Sequence, residues 1–323
     1  MMLDVCVCTH DPDLEKLEKT FQALAAQTAP RGSFQVTVVD NASRWPIEKS
    51  NPIFRGLRDA GISFRVLREE KVGVAHARVL AFKETGGNVL FVDDDNYLAP
   101  DFVAEALRIL EQSTEVGVFS GKMLLPKETK VPQWLKPWLL AMAIKDIGDH
   151  PVVDWYYGYW QPWVPVATAS MVVRRSVIEK FLKTYALDPH FFRLGRNGKF
   201  SFASGEDAVI AKTASDVQLK CGYFPNLVMI HDVNPKRFRF LYVLRLKLGF
   251  GLSDYWQFRV GRIAPLPFTL KVFSSMIRPL WDWSTAMDLR IRLVHIAWAF
   301  TAVFSWIRLH LAQKQQPVIL PSS

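Results

Sequence analysis

Cysteine is scarce in this chain, with only Cys6, Cys8 and Cys221 among 323 residues. Two of the three alternate within the first apolar run, where neighbours two apart on a strand are poor disulfide partners. That excludes a disulfide-stapled secreted scaffold and favours a reducing compartment. A Cys-x-Cys metal site lacks its second pair of ligands. The amino terminus has no basic region followed by an apolar core of signal length, because Asp4, His10 and Asp11 interrupt it, so the catalytic part is expected in the cytoplasm. There is no internal repeat or low-complexity tract, and no Gly-x-x-x-x-Gly-Lys-Ser/Thr loop, which removes a P-loop nucleotidase. No zinc finger, RNA-recognition signature or basic heptad helix is present, so nucleic acid is not an expected partner.

Acidic residues are also missing from one region. Residues 236–323 hold 13 Lys+Arg against Asp254, Asp282 and Asp288, a net charge of +10, while 1–235 carry a net of −1. The same quarter contains Trp256, Trp281, Trp283, Trp298 and Trp306. A basic, Trp-rich tail suits an anionic membrane surface. Its longest uncharged stretch, Leu293–Ile307, is 15 residues long and flanked by Arg292 and Arg308. At 1.5 Å per residue that is roughly 22 Å, short of a ~30 Å hydrocarbon core. An in-plane helix is at least as good a reading as a span, with Arg290, Arg292 and Arg308, and Lys247, Arg259 and Arg262 upstream, as lipid contacts.

What is present begins with alternation. Leu3–Cys8, Phe34–Val39, Ile62–Leu67 and Val89–Val92 read as strands, with a helix capped by Asp13 after the first and a helix over Val74–Glu84. That spacing implies right-handed crossovers and a mostly parallel sheet. Residues 126–165 are rich in proline and aromatics, which argues for loops and short helices. Val164–Val173 reads as a buried strand followed by a helix from Ser176. Residues 1–235 are expected to form one catalytic unit, with 1–125 binding the donor and 126–235 the acceptor, and 236–323 a helical tail.

Chemistry concentrates behind the fourth strand, where Asp93, Asp94 and Asp95 follow one another. A strand ending in acids delivers them to the carboxyl edge of the sheet, where open α/β folds bind ligands. Three adjacent carboxylates repel one another unless a cation compensates. On an extended chain Asp93 and Asp95 share a side, and oxygen ligands of this kind suit Mg²⁺ or Mn²⁺ and phosphate chemistry.

Three further segments share that logic: Val5-Cys6-Val7-Cys8-Thr9-His10-Asp11, Val38-Val39-Asp40-Asn41-Ala42-Ser43 and Gly73-Val74-Ala75-His76-Ala77-Arg78. In order and spacing the four resemble inverting family 2 glycosyltransferases with the GT-A fold, of the bacterial polysaccharide or cell-surface type. The resemblance covers about residues 3–250, with Cys8 where the family commonly has Pro. It implies an α/β fold, a Rossmann-like nucleotide-binding sheet fused to a mixed acceptor-side sheet, and transfer from a nucleoside-diphosphate sugar, UDP-sugar favoured. Thr9 and Asp40 would contact base and ribose, Arg78 would lie near the diphosphate, and Asp93 and Asp94 would hold the nucleotide sugar. Asp95 would bind Mn²⁺ or Mg²⁺ with Asp93 and His231. Ser204-Gly205-Glu206-Asp207 resembles the family's Glu-Asp pair, with Asp207 as base and Glu206 supporting it. Ser204 is also a helix-capping residue, and helix N-terminal dipoles are expected to keep Asp207 ionised. Val228–His231 and the following Asn234-Pro235-Lys236-Arg237-Phe238 resemble the stretch after the family's catalytic core, where Lys236 and Arg237 would close over the diphosphate. Trp160 and Trp163 are candidates for stacking on a saccharide or lipid-linked acceptor.

Competing readings are a dehalogenase-like phosphatase, disfavoured by the bulky Tyr97, a nucleotidyltransferase, a polyprenyl-phosphate glycosyltransferase, and an inactive sugar-binding membrane protein.

Overall fold

The first strand is the hinge of the architecture. In a computed structural model that describes residues 2–156, 167–196, 203–261 and 288–314, β1 (Leu3–Thr9) pairs in parallel with β2 (Phe34–Asn41) on one side and β4 (Asn88–Asp93) on the other. Its near-continuous apolar run is buried on both faces, as a central parallel strand requires. Parallel strands need crossovers, and α1 (Leu14–Ala25), α2 (Arg55–Asp59) and α3 (Val74–Glu84) supply them around β3 (Phe64–Glu69). The Asp13 carboxylate accepts the Glu15 N–H at 3.2 Å to start α1, which buries Leu17, Phe21 and Leu24.

Beyond β4 the sheet becomes mixed. β5 (Asn96–Leu98), β6 (Val116–Leu124), β7 (Val152–Asp154), β8 (Val172–Val173) and β9 (Lys220–His231) complete it, with α4 (Phe102–Gln112), α5 (Arg175–Thr184) and α6 (Glu206–Asp216) against its faces. The order is β3-β2-β1-β4-β8-β6-β9-β5, with β7 on β9. β8 runs antiparallel to both β4 and β6, and β9 runs parallel to β6, so β1, β2, β4, β6 and β9 all point the same way. Their carboxyl ends share one edge, which collects Thr9, Asp40, Asp93 and His231.

One sequence expectation needs correction, one strand was not anticipated, and one expectation holds. The strand expected over Val164–Val173 is, among the described residues, only Val172–Val173, preceded by a 3-10 turn at Thr168–Ser170. Nothing in the sequence announced β6, because Gly117 and Gly121 interrupt its pattern. A Cβ on Gly121 would sit 1.9 Å from the Leu227 carbonyl oxygen, so β9 can approach only a glycine there. The proline-rich 126–156 region does form a 3-10 segment, Gln133–Met142, and loops.

The tail is not a separate appendage. α7 (Phe240–Gly261) and α8 (Leu289–Lys314) pack on each other, and Ser305 Oγ donates to the Gly251 carbonyl at 2.6 Å. Trp134, Leu135 and Trp138 of the 3-10 segment share a core with Val243, Leu246 and Val294. α7 also reaches the start of α6, where the Ser204 N–H donates to Ser253 Oγ at 2.9 Å.

Candidate active site

Each acid arrives at the shared edge by a different local device. Asp40 ends β2 at 1 % exposure and accepts the Ser43 N–H at 3.1 Å, the Ile47 N–H at 3.0 Å and Arg68 Nη1 at 2.7 Å. Burial alone would raise its pKa, but these hydrogen bonds outweigh it and hold the carboxyl below the usual range. Asp40, expected at a nucleobase, also organises the loop after β2. Asn41 beside it ties that loop to α3, accepting the Gly73 N–H at 2.8 Å and donating to the Lys71 carbonyl at 2.7 Å. Asp11 and Ala42, in the loops after β1 and β2, both adopt positive φ, 46° and 52°. Such backbone strain clusters where a fold serves a site.

The acid triplet does not continue as an extended strand. β4 stops at Asp93, and Asp94-Asp95 form a turn into β5. The alternation that set Asp94 apart therefore fails at the residue where it was needed, and Asp94 accepts a hydrogen bond from the Thr9 hydroxyl. Burial, then Asp95, push the Asp94 carboxyl up to about 7. Burial raises Asp93 as well. Asp95 moves the other way, because His231 and Arg237 outweigh the cost of burying it.

Asp95 is the residue that fits a cation best. Its Oδ1 lies 3.5 Å from His231 Nε2, a buried nitrogen without a hydrogen-bond partner among the described residues, and its Oδ2 lies 4.0 Å from Arg237 Nη2. An orphaned imidazole nitrogen facing a carboxylate at the sheet edge is the donor pair a divalent ion would complete. Among the described residues no group of three His, Cys, Asp or Glu side chains converges into a full ligand cage. A site of one or two protein ligands completed by substrate phosphates and water is a common form for Mg²⁺. The loop carrying His231 is pinned in place: Lys16 Nζ pairs with Asp232 Oδ1 at 3.0 Å and the Tyr97 hydroxyl donates to Asp232 Oδ2 at 2.8 Å.

Arg78, in the first turns of α3, is 5 % exposed and forms an ion pair with Glu206 Oε1. Burial opposes its charge, and Glu206, then Asp93, more than compensate. The guanidinium, expected at the diphosphate, links the acid triplet to the start of α6. Among the described residues the buried Glu206 Oε2 has no hydrogen-bond partner.

Asp207 stands in the first turn of α6. The helix is not capped by Ser204; its N-cap is Gly205, at φ 107°, with no side-chain cap. Helix dipoles do not keep Asp207 strongly acidic either. Burial, then the neighbouring Glu206 charge, push it up to about 7, against the opposing pull of Arg78 and Lys145. A carboxylate poised near neutrality suits a general base. Lys145 and Tyr156, which the sequence did not flag, lie within electrostatic reach of it. Their signal is purely tertiary, since each belongs to an irregular segment. Lys236 is exposed, and Trp160 and Trp163 lie outside the described residues.

The comparisons with known proteins agree with this arrangement. Residues 4–152 match the model of the glycosyl transferase family 2. No curated protein matches the chain. The solved structure of TarS from S. aureus superposes with a TM-score of 0.51 at 17% identity, covering 95% of this chain and 54% of that one, so this chain spans about half its length. The mannosyltransferase PcManGT from Pyrobaculum calidifontis, in complex with GDP-Man and Mn²⁺, superposes with a TM-score of 0.52 at 18% identity, covering 97% of this chain and 79% of that one. At such identities the likeness is one of fold, a mixed α/β GT-A sheet with a helical region behind it. In its matched amino-terminal residues and in this fold, the chain is similar to glycosyl transferase family 2.

Proposed function

We propose that the protein transfers a sugar from a nucleoside-diphosphate sugar to a hydroxyl of a saccharide or lipid-linked saccharide, inverting the anomeric centre in one displacement. The observation that carries this reading is the convergence on Arg78: its guanidinium feels Asp93 from the donor side and pairs with Glu206 beside Asp207. Asp207 takes the proton from the acceptor hydroxyl as that oxygen attacks, so no covalent nucleophile is needed. Glu206 and Arg78 set its position and charge. Asp95, with His231 and Asp93, would hold Mn²⁺ or Mg²⁺, which when bound neutralises charge on the departing diphosphate. Arg237, close behind Asp95, adds a fixed positive charge on the same side. Thr9 and Asp94 would border the nucleotide together.

UDP is the favoured carrier on the family resemblance, and the GDP-Man held by the Pyrobaculum neighbour makes guanosine diphosphate the competing donor to test. The deciding experiment is a panel of sugar nucleotides with Mn²⁺ or Mg²⁺, read as release of nucleoside diphosphate. Turnover is expected with one donor and is lost in Asp95→Ala; full activity in that variant sinks the assignment, and release of pyrophosphate would indicate a nucleotidyltransferase.

Attachment to an anionic membrane surface belongs to the same proposal. No described helix is long and apolar enough to cross a membrane. What supports an in-plane contact is a row of exposed apolar side chains on α8, Leu293, Ile296, Phe300, Phe304 and Ile307, spaced three and four apart along one face.

A further inference from the structure

Lys145 is a buried cation for which the reaction described above has no use. It is 5 % exposed, and among the described residues its side chain has no hydrogen-bond or ion-pair partner. Its backbone is held firmly: the Lys145 N–H donates to the Met123 carbonyl at 2.8 Å and its own carbonyl accepts the Met123 N–H at 2.9 Å. That bridge hangs Lys145 on the last residues of β6, where Met123 also faces Met229 of β9. It therefore stands at the carboxyl edge of the sheet, two strand residues back from His231. Burial drives its ammonium down to about 7, and among the described residues Asp207 is the charge that acts on it. The two do not pair within 4 Å, so the lysine does not serve as the contact partner of the base. Tyr156 stands within the reach of the same carboxylate, and its carbonyl accepts Ser215 Oγ from α6 at 3.2 Å.

An ammonium taken out of water without a partner costs several kcal/mol, and natural cores avoid it unless something compensates. Among the described residues nothing does so here. The group that arrives beside Asp207 during turnover is the acceptor. Lys145 and Tyr156 both come from residues 126–156, the acceptor side, and not from the strands that carry Thr9, Asp40 and the triplet. The geometry points to Lys145 as the binding residue for an oxyanion on the acceptor, a carboxylate or a phosphate. The saccharide that offers its hydroxyl to Asp207 is then an acidic one. This rests on the glycosyltransferase reading and narrows its acceptor class. Charge complementarity supplies the selectivity: a neutral sugar leaves the lysine buried and unpaired, and an anionic one satisfies it with a charge-assisted bond.

The test uses the full chain and the donor identified in the panel, with matched acceptors: methyl β-glucoside, methyl β-glucuronide and methyl β-glucoside 6-phosphate. Wild type is expected to favour at least one acidic member over the neutral one by about ten-fold or more in kcat/KM, the worth of one charge-assisted hydrogen bond. The two acidic arms tell carboxylate from phosphate. In Lys145→Met the ratio collapses toward one, in Lys145→Arg it is largely kept, and the donor KM stays as in wild type. Equal loss toward neutral and acidic acceptors in Lys145→Met would assign the lysine to supporting Asp207 and overturn the proposal. So would a wild type that prefers the neutral sugar, or a preference that follows a uronic acid on the donor. Absence of donor turnover in every combination would overturn the underlying glycosyltransferase reading instead.

Discussion

Glu206 and Arg78 act on Asp207 with opposite sign, and that makes their roles separable. The Glu206 charge raises the Asp207 pKa and the Arg78 charge lowers it. Only the carboxylate form of Asp207 accepts a proton, so activity must rise with pH through its pKa. Wild-type kcat/KM is expected to show an acid limb near pH 7. Glu206→Gln removes the repelling charge and frees Arg78 to favour the carboxylate, moving the limb down by roughly one unit. Arg78→Met leaves Glu206 unopposed and moves it up. A wild-type limb in the ordinary carboxylate range would remove Asp207 from the role of base. The residue types at these positions were legible in the sequence. The Arg78–Glu206 pairing was not, because the two residues lie on helices far apart in the chain and meet only when α6 docks beside α3.

At the scale of elements, the start of α6 is held by a helix that the sequence assigned to the tail. Gly205 adopts φ 107°, and a Cβ there would approach Gln257 Nε2 of α7 to 2.1 Å. Trp256 of the same helix stacks on His190 at 5.5 Å. Gly205→Ala forces a side chain into a left-handed conformation and against α7, at a cost on the order of 1–3 kcal/mol. Denaturant unfolding should register that loss, and kcat should fall more than the donor KM rises, since the displaced element carries the base and not the nucleotide. An unchanged kcat would mean that α7 does not set the position of Asp207. Helix α1 was readable because cap, periodicity and length agree locally. β6 was not, since its glycines answer to the backbone of β9, which no local pattern encodes.

For the whole molecule, the basic excess of residues 236–323 is less available than its count suggests. Lys247 lies 4.9 Å from both the Trp138 and Trp298 ring centres and 5.3 Å from Phe250. Arg308 sits over Tyr255 at 4.4 Å, and Arg290 lies over Trp134 at 5.1 Å while pairing with Asp288. Lys247, expected as a lipid contact, is caged by aromatic rings, so cation–π packing absorbs charge that composition alone assigns to a membrane. The exposed apolar row of α8 then carries the larger part of any membrane affinity. In flotation with phosphatidylglycerol vesicles the full chain should rise with the lipid, more weakly with phosphatidylcholine alone, and only partly released by salt. The double variant Phe300→Glu, Phe304→Glu should stay behind with its sugar-nucleotide turnover intact. Equal flotation of the variant and wild type would refute the in-plane contact.

The sequence by itself determined the parallel βαβ beginning, the acids at the ends of β2 and β4, and the Glu-Asp pair of the second half. These follow from short-range periodicity and from strands that end in charged residues, both of which are local. Only the tertiary structure decided which acids face one another, which cation each one meets, and that Lys145 lies buried beside Asp207. Those outcomes depend on how β8 reverses direction between β4 and β6, and on α7 closing against α6. Burial and Coulomb interactions fall off over a few ångströms in space, without regard to distance along the chain.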